Sequence, residues 1–352
     1  MILDKTFLKH LITTPSPSGH EDNAINVFNT FMLQFGVHEF TDAIKNSCFS
    51  IGEGTKSIML SGHIDEISLK VQYIDDNGFI YFISNGGVDP KTLLGRSVTI
   101  LTRKSDIKIH GVIGKKPIHI ERKNDEKDKV TPISSMKIDC GFETKEEALE
   151  YVQVGDAVIV DMLPIELGCN RFTGRGLDDK VGIYVVGEVF RRLSQNPPRN
   201  LKVYGVACTQ EEVGATGAFL ASKKINPTYS IDYDVTFATD DETVDKKEWG
   251  DIRLGKGGAL AYGPDSNIEF TSLIQDICEG NKIPFQSFSL GSGCTDTLDI
   301  KKGATNAKTA LISVPNRNMH TPVEIIDWRD IQSIIDMTVA TIYYLDSKEN
   351  NI

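Results

Sequence analysis

The sequence predicts an α/β protein in which a mixed, largely parallel sheet is flanked by helices and interrupted by an inserted small β-barrel-like domain. Three observations carry this reading. Strand-type and helix-type patterns alternate from about residue 165 to the C-terminus, the apolar period changes to two from about Val71, and 352 residues exceed the usual range of a single core. The shifts place the first part of the main domain at 1–68, the β-rich insert at 69–164 and the second part of the main domain at 165–352.

In chain order, Ser18-Gly19-His20-Glu21 has the form of a capping box, and AINVFNTFML behind it reads as an amphipathic helix. In the insert, VQYIDDNGFIYFI reads as a hairpin around Asn77-Gly78, followed by short β-type runs at Ser97 to Leu101, Ile107 to Ile113 and Ala157 to Val160. The charged stretch Glu121 to Lys129 reads as a solvated loop, and Thr144-Lys145-Glu146-Glu147 as the capping box of a short helix. After the insert come helix Asp179 to Leu193, strand Leu201 to Cys208, a helix near Gly214 to Ala221, a strand around Asp234, helix Asn267 to Glu279 and strand Ala310 to Val314. The last helix, Trp328 to Leu345, carries Ile331, Ile334, Ile335, Val339 and Ile342 on one stripe, spaced for packing.

Composition narrows the function. A net charge of -11 argues against a nucleic-acid surface and against a polybasic membrane contact. The N-terminus MILDKTFLKHLITTP is too polar for a signal peptide, and no run of 18 apolar residues occurs. Six cysteines, Cys48, Cys140, Cys169, Cys208, Cys278 and Cys294, form no CxxC pair, as expected for reduced thiols in a cytoplasmic protein.

The chemistry concentrates where strands end. Glu211 and Glu212 follow the apolar strand LKVYGVAC, and neighbouring strand-end side chains point to different sides, so one carboxylate can hold a metal while the other faces a reacting water. A Glu-Glu pair is ordinarily a solvated surface dipeptide. Four further positions change that reading. His63 follows the run SIML, with Asp65 two residues on as an acceptor for its second nitrogen. Asp178 and Asp179 open a helical pattern behind the glycine-rich GRG, where a plain helix cap is the alternative. Asp234 interrupts the β-type run IDYDVTF, where a charge needs a partner. His320 follows the strand ALISV and a turn. Taken together, His63, Asp178, Glu212, Asp234 and His320 provide two imidazoles and three carboxylates, which leave one positive charge against two divalent cations. Such ligands favour zinc, with cobalt and manganese as substitutes.

The chain resembles the M42 metallo-aminopeptidases through segments in the family's order: TPSPSGHE (14–21), SGHIDEI (61–67), GVIGKKPIH (111–119), GRGLDDKVG (174–182), QEEVGATGA (210–218), DVTFATD (234–240), GCTDT (293–297) and MHTPVE (319–324). The resemblance implies a zinc-peptidase-type fold and two divalent metal ions per subunit. His63, Asp178 and Asp234 would hold one metal and Asp178, Glu212 and His320 the other, with Asp178 chosen over Asp179 because relatives often carry Asn at the second place. It further implies that Asp65 orients His63 and that Glu211 is the general base acting on a water shared by the metals. Expected partners are peptides with a free N-terminus and other copies of the chain, in a dodecamer whose contacts and access the insert helps to build. Lys180 stands where many relatives have arginine, and Cys294 where glycine is common before Thr295 and Asp296. His110 and His119 receive no ligand role.

Two other classes compete. A glycosidase could use Glu211 and Glu212 as acid and base, but adjacent carboxylates rarely span the roughly 5 to 9 Å that a sugar requires. A catalytically inactive peptide-binding relative is the other, and the full ligand set and base argue against it.

Overall fold

The computed structural model describes residues 3–104, 107–117, 119, 130–291 and 295–349. The expected charged loop Glu121 to Lys129 and Cys294 lie outside them.

The central sheet has eight strands in the order Val37–Thr41, Ser47–Ile51, Leu201–Cys208, Lys56–His63, Tyr229–Phe237, Lys308–Asn316, Gly258–Tyr262 and Phe285–Ser289. The middle four, Leu201–Cys208 through Lys308–Asn316, run parallel, and antiparallel pairings flank them. The expected mixed, largely parallel sheet is therefore present. The sequence reading did not include the strands Val37–Thr41, Ser47–Ile51, Gly258–Tyr262 and Phe285–Ser289. Val37–Thr41 is largely exposed and polar, so no apolar period marks it.

Helix Leu177–Leu193 (LDDKVGIYVVGEVFRRL) packs on this sheet beneath Lys5–Thr13, Asp22–Met32 and Trp328–Glu349, and every residue except Arg191 and Arg192 is buried. A helix covered on all sides loses the amphipathic stripe and reads as a nearly continuous apolar run. Stacked Phe7 and Phe31, with ring centroids 3.8 Å apart, lie in the layer above it, and Tyr184 of the helix tilts against Phe7. The expected stripe of the last helix holds for Ile331, Ile334, Ile335 and Ile342, all fully buried.

The insert forms a closed barrel of Ser68–Ile74, Ile80–Asn85, Ile138–Asp139, Lys108–Ile113, Arg96–Leu101 and Ala157–Val160. It has its own core, including Leu69, Val71, Ile80, Phe82, Val98, Ile100, Ile113, Ile138 and Val158. The strands Ser68–Ile74 and Ile80–Asn85 pair as a hairpin, but a longer loop joins them than the Asn-Gly signal implies. Asp75 Oδ1 accepts from the amides of Asn77 and Phe79, and Gly78 takes φ 79° to close the turn. Thr144 caps Lys145–Tyr151 as expected, accepting from Glu147 N.

The first capping box is not formed. Asp22–Met32 is a helix, but Glu21 at its N-cap makes no capping hydrogen bond, and Ser18 Oγ donates instead to Asp65 at 2.7 Å. A long-range acceptor at the site outcompetes the local cap.

A buried ion cluster ties the start of the long helix to the N-terminal segment. Glu66 Oε1 accepts from Lys180 Nζ at 3.0 Å and from Ser16 N at 2.8 Å, Arg175 pairs with its other oxygen, and Lys180 also donates to Thr14 O at 2.9 Å. Burial opposes the Glu66 charge, yet the Arg175 and Lys180 cations outweigh it and hold the carboxyl down at about 2. Burial pushes Lys180 down to about 8. Glu66→Ala strands two buried cations and is expected to cost about 3 to 5 kcal/mol, read as a lower denaturant midpoint at unchanged slope. A stability within about 0.5 kcal/mol of the parent would show the cluster to be solvated.

Candidate metal centre

The parallel strands end on one side of the sheet, and their register gathers the acids and histidines there. His63 ends its strand opposite Cys208, and Asp234 pairs with Ser313. The turns after Cys208 and Asn316 then carry Glu211, Glu212 and His320 to the same edge, where α/β folds place their sites.

Glu211 and Glu212 follow the strand Leu201–Cys208 as expected, but strand alternation does not set their directions. They lie in a turn entered through Gln210 at φ 61°, so turn geometry rather than strand alternation separates their side chains. The Asp65 carboxylate holds this turn, accepting from Glu211 N at 3.0 Å and Glu212 N at 3.2 Å. His63 Nδ1 is 3.1 Å from the Asp65 backbone carbonyl and 3.6 Å from its carboxylate. Asp65 thus meets the imidazole most closely through its main chain, while its side chain fixes both glutamates.

Asp178 and Asp179 precede the regular part of the long helix, with non-helical backbone angles and a cis peptide between them. Gly176 at φ 61° precedes them with no side-chain cap, and the regular helix that starts after Asp179 is capped by Asp179, whose Oδ1 accepts from Gly182 N, so the cap reading holds for Asp179 and not for Asp178. Their carboxylates diverge. Asp178 lies 3.1 Å from His63 Nε2 and 3.3 Å from His320 Nε2. Asp179 turns inward, accepting from His63 N at 3.3 Å and Gly182 N at 3.0 Å. Glycines make the room: a Cβ at Gly62 would stand 2.7 Å from Asp179 Oδ2, and one at Gly182 2.2 Å.

Two donor groups result. His63, Asp178 and Asp234 bring ligand atoms within 4.8 Å of one another, as do Asp178, Glu212 and His320, so Asp178 belongs to both. Glu211 belongs to neither, with Oε2 3.9 Å from His63 Nε2. Imidazole and carboxylate donors suit a zinc-type cation, and Glu212 Oε1, buried without a hydrogen-bond partner among the described residues, is the kind of atom a cation satisfies.

The electrostatics point the same way. Burial, reinforced by the Asp178 charge, pushes Glu212 up to about 8, and burial raises Asp234 well above the usual carboxylate range and Glu211 less far. Burial also opposes the Asp178 charge, but hydrogen bonds from His320 and His63 hold it below its ordinary value. The bond to Asp178 raises His320 to about 10, and Asp178 and Asp65 raise His63 despite its burial. Crowded carboxylates of this kind are relieved by bound cations.

The sequence reading gave no role to two neighbours. Glu324, 2% exposed, accepts from Asp178 N at 3.1 Å and His320 N at 3.0 Å, tying the backbones of both donors. An acid heading the apolar strand Glu324–Asp327 was its signal. Gly87, from the insert, presents its carbonyl 2.9 Å from His320 Nδ1, a contact only the folded barrel creates. Glu324→Ala is expected to weaken metal binding by about 10- to 100-fold, and Glu324→Gln by less because it keeps an acceptor. Equilibrium dialysis with zinc measures both, and equal losses would show that the carboxylate acts otherwise. Thr295 lines the cleft beside Asp234, whereas Asp296 is buried behind it.

Comparisons with known proteins agree with the geometry. The model of the family described as M42 glutamyl aminopeptidase matches residues 47–337. The lysyl aminopeptidase of Pyrococcus furiosus is 30% identical over 346 residues, covering 96% of each chain. An aminopeptidase structure from the archaeon Desulfurococcus kamchatkensis is 33% identical with a TM-score of 0.88, over 96% of this chain and 93% of that one. The Pyrococcus horikoshii TET1 peptidase, which can assemble into a tetrahedron or a large octahedral shell, is 29% identical with a TM-score of 0.85, over 95% of this chain and 98% of that one. A match across most of the sequence, a shared fold and donor groups at the strand ends lead to one conclusion: the chain belongs to the M42 peptidases and is a metal-dependent aminopeptidase.

Proposed function

We propose that the protein is a dinuclear aminopeptidase that releases N-terminal residues from peptides, with Glu211 as general base. The observation that carries the reading is the sharing of Asp178 between two donor groups while Glu211 stands in the cleft outside both. His63, Asp178 and Asp234 would hold one metal, and Asp178, Glu212 and His320 the other. When bound, the metals polarise the scissile carbonyl and acidify water. Glu211 takes the proton of the attacking water and returns it to the leaving amine. Asp65 keeps Glu211 in place through its amide, and Glu324 and Gly87 keep Asp178 and His320 in place. Zinc fits this donor set, with cobalt and manganese as substitutes.

The test is hydrolysis of a panel of aminoacyl substrates before chelation, after chelation and after metal add-back, with metal content measured alongside. Activity lost with the metal and restored with two equivalents supports the reading. Activity indifferent to chelation overturns it.

Residues 69–164 serve in this reading as an inserted domain that shapes access and builds contacts between copies, toward a dodecamer. Support comes from the closed barrel with its own core and from the assembly of the Pyrococcus horikoshii relative. Light scattering on the metal-loaded protein decides, since a monomer-sized particle overturns it. A cytoplasmic location fits the free thiols of Cys48, Cys140, Cys169, Cys208 and Cys278, and among the described residues no helix is long and apolar enough to cross a membrane.

A further inference from the structure

Two spaces adjoin the donor groups. One, between the barrel and the main domain behind His320, has a volume of about 40 Å³ and admits little more than water. The other is an open cleft of about 410 Å³ that runs from Asp178, Glu211 and Glu212 past Asp234 along the end of its strand. Of these two spaces among the described residues, the cleft is the one with room for a side chain.

Its far wall is apolar. Phe237 ends the strand that carries Asp234, Phe288 and Leu290 come from the edge strand Phe285–Ser289 and the residues after it, Leu311 from the strand Lys308–Asn316, and Met319 precedes His320 in the chain. Phe237 meets Trp249 edge-on at 5.4 Å, and both are half exposed at the rim. The remaining polar lining is neutral: Thr236, Thr295 and Ser313. Among the described lining residues there is no lysine or arginine, and the carboxylates are those of the donor groups and Glu211.

We infer that this cleft receives the side chain of the N-terminal residue and selects large apolar ones of the leucine, methionine and phenylalanine class. The inference rests on the proposed aminopeptidase reading. An acidic side chain entering here meets no lysine or arginine among the described lining residues, and His320 is held by the donor group it belongs to. A lysyl ammonium finds only hydroxyls, because the donor carboxylates are engaged by the metals and Glu211 by the attacking water. In either case a charge is desolvated without compensation. An apolar side chain loses nothing and gains contact with the aromatic and aliphatic wall.

The experiment measures kcat/KM of the metal-loaded enzyme on leucyl, methionyl, phenylalanyl, alanyl, glutamyl and lysyl p-nitroanilides. Leucyl is expected to exceed glutamyl and lysyl by about 10²-fold or more. Phe288→Ala and Leu290→Ala, each with metal content checked, are expected to lower the leucyl-to-alanyl ratio about 10-fold, mainly through KM. Glutamyl or lysyl equal to or above leucyl overturns the inference while leaving the aminopeptidase reading intact. So does an unchanged leucyl-to-alanyl ratio in whichever variant folds. No hydrolysis of any substrate by the loaded protein overturns the aminopeptidase reading and the inference with it.

Discussion

Glu211→Gln is expected to retain its metals and to lose turnover by about 10² to 10⁴, or roughly 3 to 5 kcal/mol of barrier. The amide preserves the shape of the side chain and cannot accept a proton. Two features make the separation of binding from turnover a sharp expectation. Glu211 lies outside both donor groups, and its position is fixed through its backbone amide by Asp65, which the substitution leaves in place. Turnover and metal content should therefore be measured on the same preparation. Loss of both metals would make Glu211 a ligand, and near-parental turnover would remove it from the mechanism.

Asp178→Asn is expected to lower occupancy at both metal positions. Asp178 is common to the two donor groups, so in the proposed dinuclear centre one charged oxygen donor would be lost to each cation. Its neighbour serves as the control. Asp179 turns away from the groups and accepts from the amides of His63 and Gly182, and asparagine keeps one acceptor for those bonds. Asp179→Asn should therefore remain close to fully loaded. Metal analysis of the two variants decides, and the reverse ranking would move the shared role to Asp179.

Much of this protein was legible without coordinates because its signals are local. The period-two patterns of the barrel, the strand LKVYGVAC and the stripe of Ile331, Ile334, Ile335 and Ile342 follow from which face of each element must leave water. The residue types at the strand ends pointed to metal chemistry in combination, since each has an ordinary structural reading alone but two imidazoles and three carboxylates together form a ligand set. The resemblance to the family then implied the roles proposed for His63, Asp178, Glu211, Glu212, Asp234 and His320.

Contacts between distant segments were decided only by the tertiary structure. Ser18 gives up a local cap to bond Asp65, 47 residues away. The Asp65 carboxylate holds the Glu211 and Glu212 amides, across separations of 146 and 147 residues. Glu324 joins Asp178 to His320, and Gly87 brings the insert onto the second donor group. Which apolar residues wall the cleft was equally hidden, because Phe237, Phe288 and Met319 come from three different elements. Hydrophobic period and ligand type are properties of a few consecutive residues, so the sequence determines them directly. A hydrogen bond needs two groups within about 3 Å, and which distant groups meet at that distance is set by how the whole chain packs.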